Sequence, residues 1–267
     1  MNTNTTPQRK TIAAANKDRR IERARLMDLV ILTWYTVAMK CAELITMTRR
    51  IRFQFGNKKL AADSKIAFVI FSLPAVLTCP GATVECMKNC YARRDERFLK
   101  TRMSRLINLM ISKQPDFETV LENAIKKTIY TRKGNLRKRF IGKEIVFRIH
   151  ESGDFYNDTY MKAWFHVAAR FPDITFFTYT KSFKIYERCH TEQPDNFTVR
   201  ASIWSDTSIE ELLIINRLHM PIYTAYDAAG VAAAIENGAS RCTCESCTAC
   251  KCACARHENK EIVTEIH

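Results

Sequence analysis

Cysteine is the residue type in this sequence whose number and spacing most directly indicate chemistry. The 267 residues contain 11 cysteines, and most of them fall into two clusters. The first cluster consists of Cys79, Cys86 and Cys90, and the second lies between residues 242 and 254. Because cytosolic thiols are kept reduced, clusters in a chain without a secretory signal indicate metal binding rather than disulfides. Cys41 and Cys189 stand apart and are expected to be core thiols.

The second cluster is centred on cysteines that lie three residues apart. These are Cys244, Cys247 and Cys250. A tight turn can direct thiolates at this spacing towards one metal ion or one iron–sulfur cluster. Cys242, Cys252 and Cys254 provide further ligands, so the spacing leaves open which subset binds. It also leaves open whether the segment is a zinc knuckle or holds a cluster.

The first cluster has gaps of six and three residues between its cysteines. A tetrahedral zinc site would lack one ligand here, unless a histidine or a C-terminal cysteine supplied it. A cubane cluster tolerates three thiolates, because its fourth iron then remains open to a substrate or cofactor. Alternatively, both cysteine clusters converge on one closed metal site.

Polar residues follow four of the predicted strands, at 150–154, 179–182, 205–206 and 226–227. The carboxyl ends of parallel strands share one edge of a sheet, and the functional residues of such folds lie there. We therefore expect the candidate catalytic residues His150, Asp154, Lys181 and Asp227 to converge with the first cysteine cluster. Each also has a structural interpretation: a buried histidine, helix N-caps for the aspartates, and a solvated charge for the lysine.

The hydrophobic pattern that must position these residues alternates between strands and helices. Strands are predicted at 66–71, 144–150, 174–180, 197–203, 221–226 and 261–266, and helices at 87–112, 116–131, 158–171, 206–218 and 228–236. This alternation predicts an α/β fold with a parallel sheet of about six strands covered by helices. That number fits a partial or open barrel better than a complete one, with an open doubly wound sheet as the rival. Trp164, Phe165 and Phe171 are expected in the core.

The chain is predicted to divide near residue 56. Residues 1–56 form a basic N-terminal tail and a helix at about 18–50, and residues 57–267 form the α/β domain with its cysteine-rich segment at 242–254. A polar stripe interrupts the apolar run at 29–39, which favours a packed helix over a membrane span. The first residues lack the apolar core of a signal peptide, so a cytoplasmic location is expected.

Positive charge is concentrated in the first half of the chain. The formal net charge is +14, and the basic excess lies within residues 1–150, whereas the remainder is slightly acidic. Basic stretches at 93–105 and 132–139 predict contact with a polyanion, DNA or RNA. The length and composition exclude a disulfide-stapled miniprotein and a disordered chain.

From residue 57 to 267 the sequence resembles the phage gene product 88 family. The opening block of that family is matched by segments at 57–60, 71–75, 78–82 and 90–92. Its centre is matched at 148–155 and 179–182, together with Tyr160 and Trp164, and its close by the cysteine-rich segment and the final Ile266 and His267. The resemblance implies a phage or mobile-element protein that works in the host cell cytoplasm.

The layout of that family is similar to that of radical S-adenosylmethionine enzymes, which have a three-cysteine loop after the first strand of a partial barrel. This similarity implies a [4Fe–4S] cluster on Cys79, Cys86 and Cys90, and a second cluster on the C-terminal cysteines. It also implies S-adenosylmethionine binding by Ser152, Gly153, Asp154 and Tyr91. The usual radical motif has cysteine gaps of three and two residues, which differ from the gaps in this chain.

The sequence therefore predicts an iron–sulfur enzyme that acts on or near nucleic acid. The alternative is a non-enzymatic, zinc-stabilised protein that binds nucleic acid or a host partner. A metal-dependent nuclease is a weaker third interpretation, in which His150, Asp154 and Asp227 would bind a hard cation. The sequence leaves the oligomeric state open.

Overall fold

The computed structural model describes most of the chain from residue 50 onward. The described residues are 50–56, 63, 65–241, 253–255 and 261–265. They belong to one compact unit, Arg50–His267. Almost all of the predicted helix at 18–50 lies outside the described residues, as do Cys41 and every cysteine of the second cluster except Cys254.

Within the described residues, strands and α-helices alternate along the chain. The strands are β1 (Ile66–Phe71), β2 (Glu144–Ile149), β3 (Thr175–Thr180), β4 (Phe197–Ile203), β5 (Ile222–Tyr226), β6 (Ser240–Arg241) and β7 (Ile262–Glu265). The helices are α1 (Val84–Lys88), α2 (Tyr91–Asp95), α3 (Leu99–Ser112), α4 (Phe117–Ile129), α5 (Asp158–Ala169), α6 (Phe183–Cys189), α7 (Ile209–Arg217) and α8 (Ala228–Glu236). Short 3-10 turns lie at His190–Glu192 and Ala253–Ala255.

The sheet is parallel throughout, with the strand order β1-β2-β3-β4-β5-β7-β6. Successive right-handed crossovers that advance in one direction place their helices on the same face of the sheet. A doubly wound sheet would instead reverse direction near its middle, and here the order reverses only at the β6 edge. The prediction of an α/β fold with a partial-barrel parallel sheet is confirmed: the sheet curls into a half-barrel surrounded by helices.

Some element boundaries differ from those predicted. The helix predicted at 87–112 is three helices, α1, α2 and α3, because the chain turns at Asn89 and Cys90 and again before Leu99. β6 was not predicted, since its two residues are too few to show a period of two.

The outer face of the sheet packs against helices through large aromatic side chains. The Trp164 ring on α5 contacts the Phe71 ring with centroids 5.0 Å apart, and Phe165 contacts Phe197 at 4.9 Å. Both α5 rings are fully buried. The prediction that Trp164, Phe165 and Phe171 belong to the core is confirmed.

Among the described residues, a short turn fills the amino end of the inner face of the half-barrel. Ala255 packs there against Ile66, Phe68, Val146 and Phe177. The Thr198 hydroxyl donates to the Ala255 carbonyl at 2.9 Å, and Nε of Arg200 donates to the Cys254 carbonyl at 2.9 Å. The turn at Ala253–Ala255 thus covers one part of the inner face, and the polar residues at the carboxyl ends of the strands surround a cavity.

No helix in the described part of the chain is both long enough and apolar enough to cross a membrane.

Candidate functional site

A cavity of about 320 Å³ lies at the carboxyl end of the sheet. It is lined by residues that follow β1, β2 and β3, and by side chains of β4, β5 and β7. Its volume is at the lower end of the range for small-molecule sites. Ten of the predicted site residues do not belong to the second cysteine cluster. Nine of these ten line the cavity: Cys79, Cys86, Cys90, Tyr91, His150, Ser152, Gly153, Asp154 and Lys181.

The three cysteines of the first cluster are free thiols, each half-buried. Cys86 lies on α1, where its backbone N–H donates to the N-cap hydroxyl of Thr83 at 3.2 Å. Cys90 occupies the N-cap position of α2. The chain between β1 and α3 is therefore folded so that thiols separated by six and by three intervening residues reach the same cavity.

The protein environment favours the protonated form of two of these thiols, Cys79 and Cys86. Burial raises the pKa of the Cys79 thiol to about 12, and the nearby Asp154 carboxylate adds to the effect. Burial also raises the pKa of Cys86, although the Lys181 ammonium opposes the shift. A cysteine nucleophile requires a lowered pKa, whereas a bound metal cation deprotonates a thiol directly. Cys79 and Cys86 therefore lack the lowered pKa that a cysteine nucleophile requires.

Among the described residues, no three His, Cys, Asp or Glu side chains are placed to hold a single metal ion. A tetrahedral zinc ion would bring its sulfur ligands within about 4 Å of one another, because each Zn–S bond is about 2.3 Å long. A cubane cluster holds its thiolates further apart.

A buried arginine fixes the segment that carries these cysteines. Nη1 of Arg105 on α3 donates to the Ala92 carbonyl at 2.7 Å and forms an ion pair with Glu96 at 3.2 Å. The same Glu96 oxygen accepts from the backbone N–H of Ala75 at 2.7 Å. Contacts before Cys79 and after Cys90 therefore converge on one side chain, which holds both ends of the cysteine loop.

His150 marks the end of β2 and has a strained backbone. Its φ is +64°, a left-handed conformation that is uncommon outside glycine. Its Nε2 lies 2.9 Å from the Tyr160 hydroxyl. Burial lowers the pKa of His150 to about 3, so the imidazole is neutral at physiological pH.

Gly153 allows the turn after β2 to approach the cysteine loop. Its φ is +85°. A Cβ at this position would lie 2.6 Å from both Leu73 Cβ and Thr78 Oγ1. The Leu73 N–H donates to the Ser152 carbonyl at 2.8 Å, which ties the same two segments together.

Asp154 is a buried carboxylate whose oxygens are occupied by the protein. It accepts from the Thr180 hydroxyl at 2.7 Å, from the Lys181 N–H at 2.8 Å and from the Phe155 N–H at 2.7 Å. Burial raises its pKa, and these hydrogen bonds oppose the shift. This arrangement positions the end of β3 relative to the turn after β2.

Lys181 closes the opposite wall of the cavity. Its ammonium group donates to the Ser202 carbonyl at 2.5 Å and lies 5.5 Å from the centre of the Trp204 ring. Burial lowers its pKa to about 8. A Cβ at Gly81 would overlap the Lys181 carbonyl, so the cysteine loop also packs closely against this residue.

The cavity lining differs from the sequence prediction at three residues. Arg148 and Tyr179 line the cavity but were not predicted as site residues. A charged residue within the buried strand β2 is the signal that could have identified Arg148. Asp227 does not line the cavity: its carboxylate accepts from the Gly230 N–H at 2.8 Å and caps α8.

The remaining cysteines divide between core and C-terminal segment. Cys189 is fully buried, which confirms its assignment as a core thiol. Cys254 is half-buried against the apolar cluster inside the half-barrel. The predicted ligands Cys244, Cys247 and Cys250 lie outside the described residues.

Comparison of the sequence with known proteins identifies its family. The model of the gene product 88 family matches residues 48–262. The chain belongs to the gene product 88 family. This family member is similar to the Gene 88 protein of Mycobacterium phage L5, with 31% identity over 126 residues, which is 46% of this chain and 50% of the relative.

The Gene 88 protein of Mycobacterium phage D29 is similar over the same extent, with 30% identity over 126 residues, 46% of this chain and 50% of the relative. The matched segment thus spans about half the length of these relatives. No solved structure shows a significant match.

Replacing Arg105 by Met should lower the free energy of unfolding by about 3 kcal/mol, because it leaves Glu96 without its buried partner. The matched control is Arg102→Met, which removes an exposed arginine from the same helix and should change stability by less than about 0.5 kcal/mol. Urea denaturation of the two variants measures the difference. Equal stability of the two variants would show that Arg105 does not fix the cysteine loop.

Gly153→Ala should destabilise this gene product 88 family member by about 2 kcal/mol more than Gly134→Ala, because the added methyl group clashes with Leu73 and Thr78. The φ angles of these glycines are +85° and +83°, so backbone strain is similar in both variants. Nothing lies within 4 Å of a Cβ at Gly134. Thermal unfolding measures the difference, and similar losses in both variants would argue against close packing at Gly153.

Proposed function

We propose that this gene product 88 protein is an iron–sulfur enzyme, similar in layout to radical S-adenosylmethionine enzymes, that acts on or near nucleic acid. The observation that carries the proposal is the convergence of Cys79, Cys86 and Cys90 on one cavity at the carboxyl end of a parallel half-barrel. Functional residues of parallel α/β barrels lie at this end.

The donor set fits a [4Fe–4S] cluster. Three thiols from one loop line the cavity. Three thiolates leave one iron of a cubane cluster available to another ligand. Cys79, Cys86 and Cys90 would hold the cluster, and the chemistry supplied would be one-electron reduction of a sulfonium compound.

The other cavity residues would bind and orient the reactants. Ser152 and Gly153 border the cysteine loop, so they are placed to contact a cofactor next to it. Asp154 accepts three hydrogen bonds from the protein, which supports a positioning role. Tyr91 follows Cys90 directly, and its hydroxyl donates to the Glu151 carbonyl at 2.8 Å.

A basic and aromatic surface at the cavity supports the nucleic-acid part of the proposal. We define the rim as the exposed residues Arg93, Arg94, Arg97, Phe98 and Lys100. Arg94 also lines the cavity, and the Arg97 guanidinium lies 4.7 Å from the centre of the Phe98 ring. Cations beside exposed aromatic rings are the features that bind single-stranded nucleic acid. Arg105, which belongs to the same basic stretch, is buried and paired with Glu96.

Protein purified without oxygen should be brown and contain iron and acid-labile sulfide. Cys86→Ala should lose about four iron atoms per chain, because a cubane cluster contains four irons and needs its thiolates. Cys189→Ala is the matched control, since Cys189 is buried in the core and outside the cavity, and it should retain its iron. Visible absorbance and iron, sulfide and zinc analyses provide the measurement.

A colourless protein that contains zinc would refute the cluster and favour the zinc-stabilised nucleic-acid-binding protein. Cys247→Ala separates one metal site from two. If it removes the same iron as Cys86→Ala, the two cysteine clusters share one site, and if it removes further iron, the second cluster binds its own metal.

The rim should make single-stranded nucleic-acid binding strongly dependent on salt. Arg97→Gln should reduce the slope of log K against log salt concentration by about 0.7, the value for one phosphate contact to a single strand. Arg217→Gln removes an exposed arginine on α7 that is paired with Glu187 and should leave the slope unchanged. Fluorescence anisotropy at several salt concentrations measures the slopes, and affinity that is independent of salt contradicts the proposed interface.

A further inference from the structure

A run of positive charge without any acidic residue lies between α4 and β2. Residues 126–143 contain eight Lys or Arg and no Asp or Glu. Every residue from 131 to 139 is exposed. Like charges this close together repel one another, which destabilises the folded protein. An anionic partner would relieve that repulsion.

Backbone hydrogen bonds fold the central part of this run into a hairpin. The Thr131 N–H donates to the Asn135 carbonyl at 2.8 Å. The Arg137 N–H donates to the Ile129 carbonyl at the same distance. We call residues 129–139 the basic hairpin. Its exposed cations are Arg132, Lys133, Arg137, Lys138 and Arg139.

Contacts with the rest of the domain hold the basic hairpin in place. Phe140, which follows it directly, is only 1% exposed. Nε of Arg137 donates to the Lys127 carbonyl at 3.1 Å, and the Arg139 guanidinium lies 4.0 Å from the centre of the Phe55 ring. The cations are thus presented on a folded surface, which lowers the entropy cost of binding a partner.

Among the described residues, none of the five cations forms an ion pair with a carboxylate. Exposed arginines on α6 and α7, in contrast, are paired: Arg188 with Asp158, and Arg217 with Glu187. Within the described part of the chain, the charge of the basic hairpin is therefore not compensated.

The basic hairpin lies at the opposite end of β2 from the cavity. It precedes β2, whereas residues 150–154, which follow β2, line the cavity. The six residues of β2 span about 20 Å. Arg94 of the rim also lines the cavity. The basic hairpin and the rim are therefore two separate basic surfaces.

The composition of the basic hairpin suits contacts with a phosphate backbone rather than with bases. Residues 131–139 contain no aromatic residue, whereas the rim includes Phe98. Binding of single strands uses aromatic rings on which unpaired bases stack. A duplex keeps its bases stacked internally and presents a dense array of phosphates, which arginine and lysine bind. This difference favours double-stranded nucleic acid at the basic hairpin.

An anionic membrane is the other large polyanion to which such charge could bind. Stable attachment to a membrane combines positive charge with an apolar face or a lipid anchor. Next to the five cations, the exposed large apolar side chains of residues 129–143 are Leu136 and Ile141. Three of the five cations are arginines, whose guanidinium binds phosphate through two parallel hydrogen bonds. The small apolar area and the arginines favour nucleic acid.

We propose that the basic hairpin binds the phosphate backbone of double-stranded nucleic acid at a surface separate from the cavity. The proposal goes beyond the proposed function, because it requires neither the iron–sulfur cluster nor the rim. Contacts with phosphates carry no sequence information, so the binding is independent of base sequence.

Fluorescence anisotropy with a labelled DNA duplex at several salt concentrations tests the basic hairpin. The triple variant Arg132→Gln, Lys133→Gln, Lys138→Gln should bind at least about tenfold more weakly. Its slope of log K against log salt concentration should fall by about 2.7, because each phosphate contact to B-DNA accounts for about 0.9. These three side chains form no hydrogen bond or ion pair within the described part of the chain, so the variant should fold.

The matched control is the triple variant Lys162→Gln, Lys184→Gln, Arg217→Gln. It removes the same net charge from exposed side chains that are paired with carboxylates. Exposed pairs contribute little to stability, and the slope for the duplex should stay unchanged. An equal loss of duplex affinity in both triple variants would overturn the proposal, because net charge alone would then explain the binding.

The other polyanions are measured on the same samples. If the basic hairpin variant loses binding to phosphatidylserine vesicles or to single-stranded DNA but keeps its duplex affinity, the proposal is wrong. If circular dichroism shows that this variant is unfolded, Lys133→Gln alone decides, with an expected slope change of about 0.9. Failure of the proposed function gives a different result, since loss of the iron or an unchanged slope in Arg97→Gln leaves duplex binding by the basic hairpin intact.

Discussion

Close backbone approach between the cysteine loop and the ends of β2 and β3 is the constraint on which the cavity depends. Gly153 meets Leu73 and Thr78, and Gly81 meets the Lys181 carbonyl, at distances that leave no room for a Cβ. The Leu73 N–H also donates to the Ser152 carbonyl. Without these two contacts the loop could not bring its thiols to the strand ends. The positions of the cysteines therefore depend on two residues that carry no chemistry themselves.

This packing also determines the electrostatics of the site. Removing the cavity wall from water raises the pKa values of Cys79 and Cys86 and lowers those of His150 and Lys181. Each of these shifts favours the neutral form, as desolvation does in general. Arg148 remains the exception, because a guanidinium stays protonated in proteins. At neutral pH the positive charge of the cavity therefore comes from Arg148 and from Lys181, whose pKa of about 8 leaves most of its ammonium groups protonated.

Much of the fold could be predicted from the sequence, because strand and helix periodicities differ and the core aromatics follow them. The strands predicted at 66–71 and 197–203 are β1 and β4 in the structure, and Trp164 and Phe165 are buried as predicted. The edge strand β6 could not be predicted, since it depends on pairing with β7 and not on a local pattern. Arg148 was also missed. In an alternating strand it looks like an ordinary outward-facing charge, and only the curvature of the sheet turns that face into an enclosed cavity.

The contrast between Asp154 and Asp227 shows why a strand-end position alone does not identify a site residue. Both aspartates follow a parallel strand near its carboxyl end. Residues 150–157 separate β2 from α5, which gives the chain enough length to fold back over the sheet and bury Asp154. Only residue 227 separates β5 from α8, so Asp227 must be the residue that begins the helix, and its carboxylate caps the helix instead of facing the cavity. The length of the connection between strand and helix determines where the helix begins. It thus determines whether a carboxylate at the strand end faces the cavity or caps the helix.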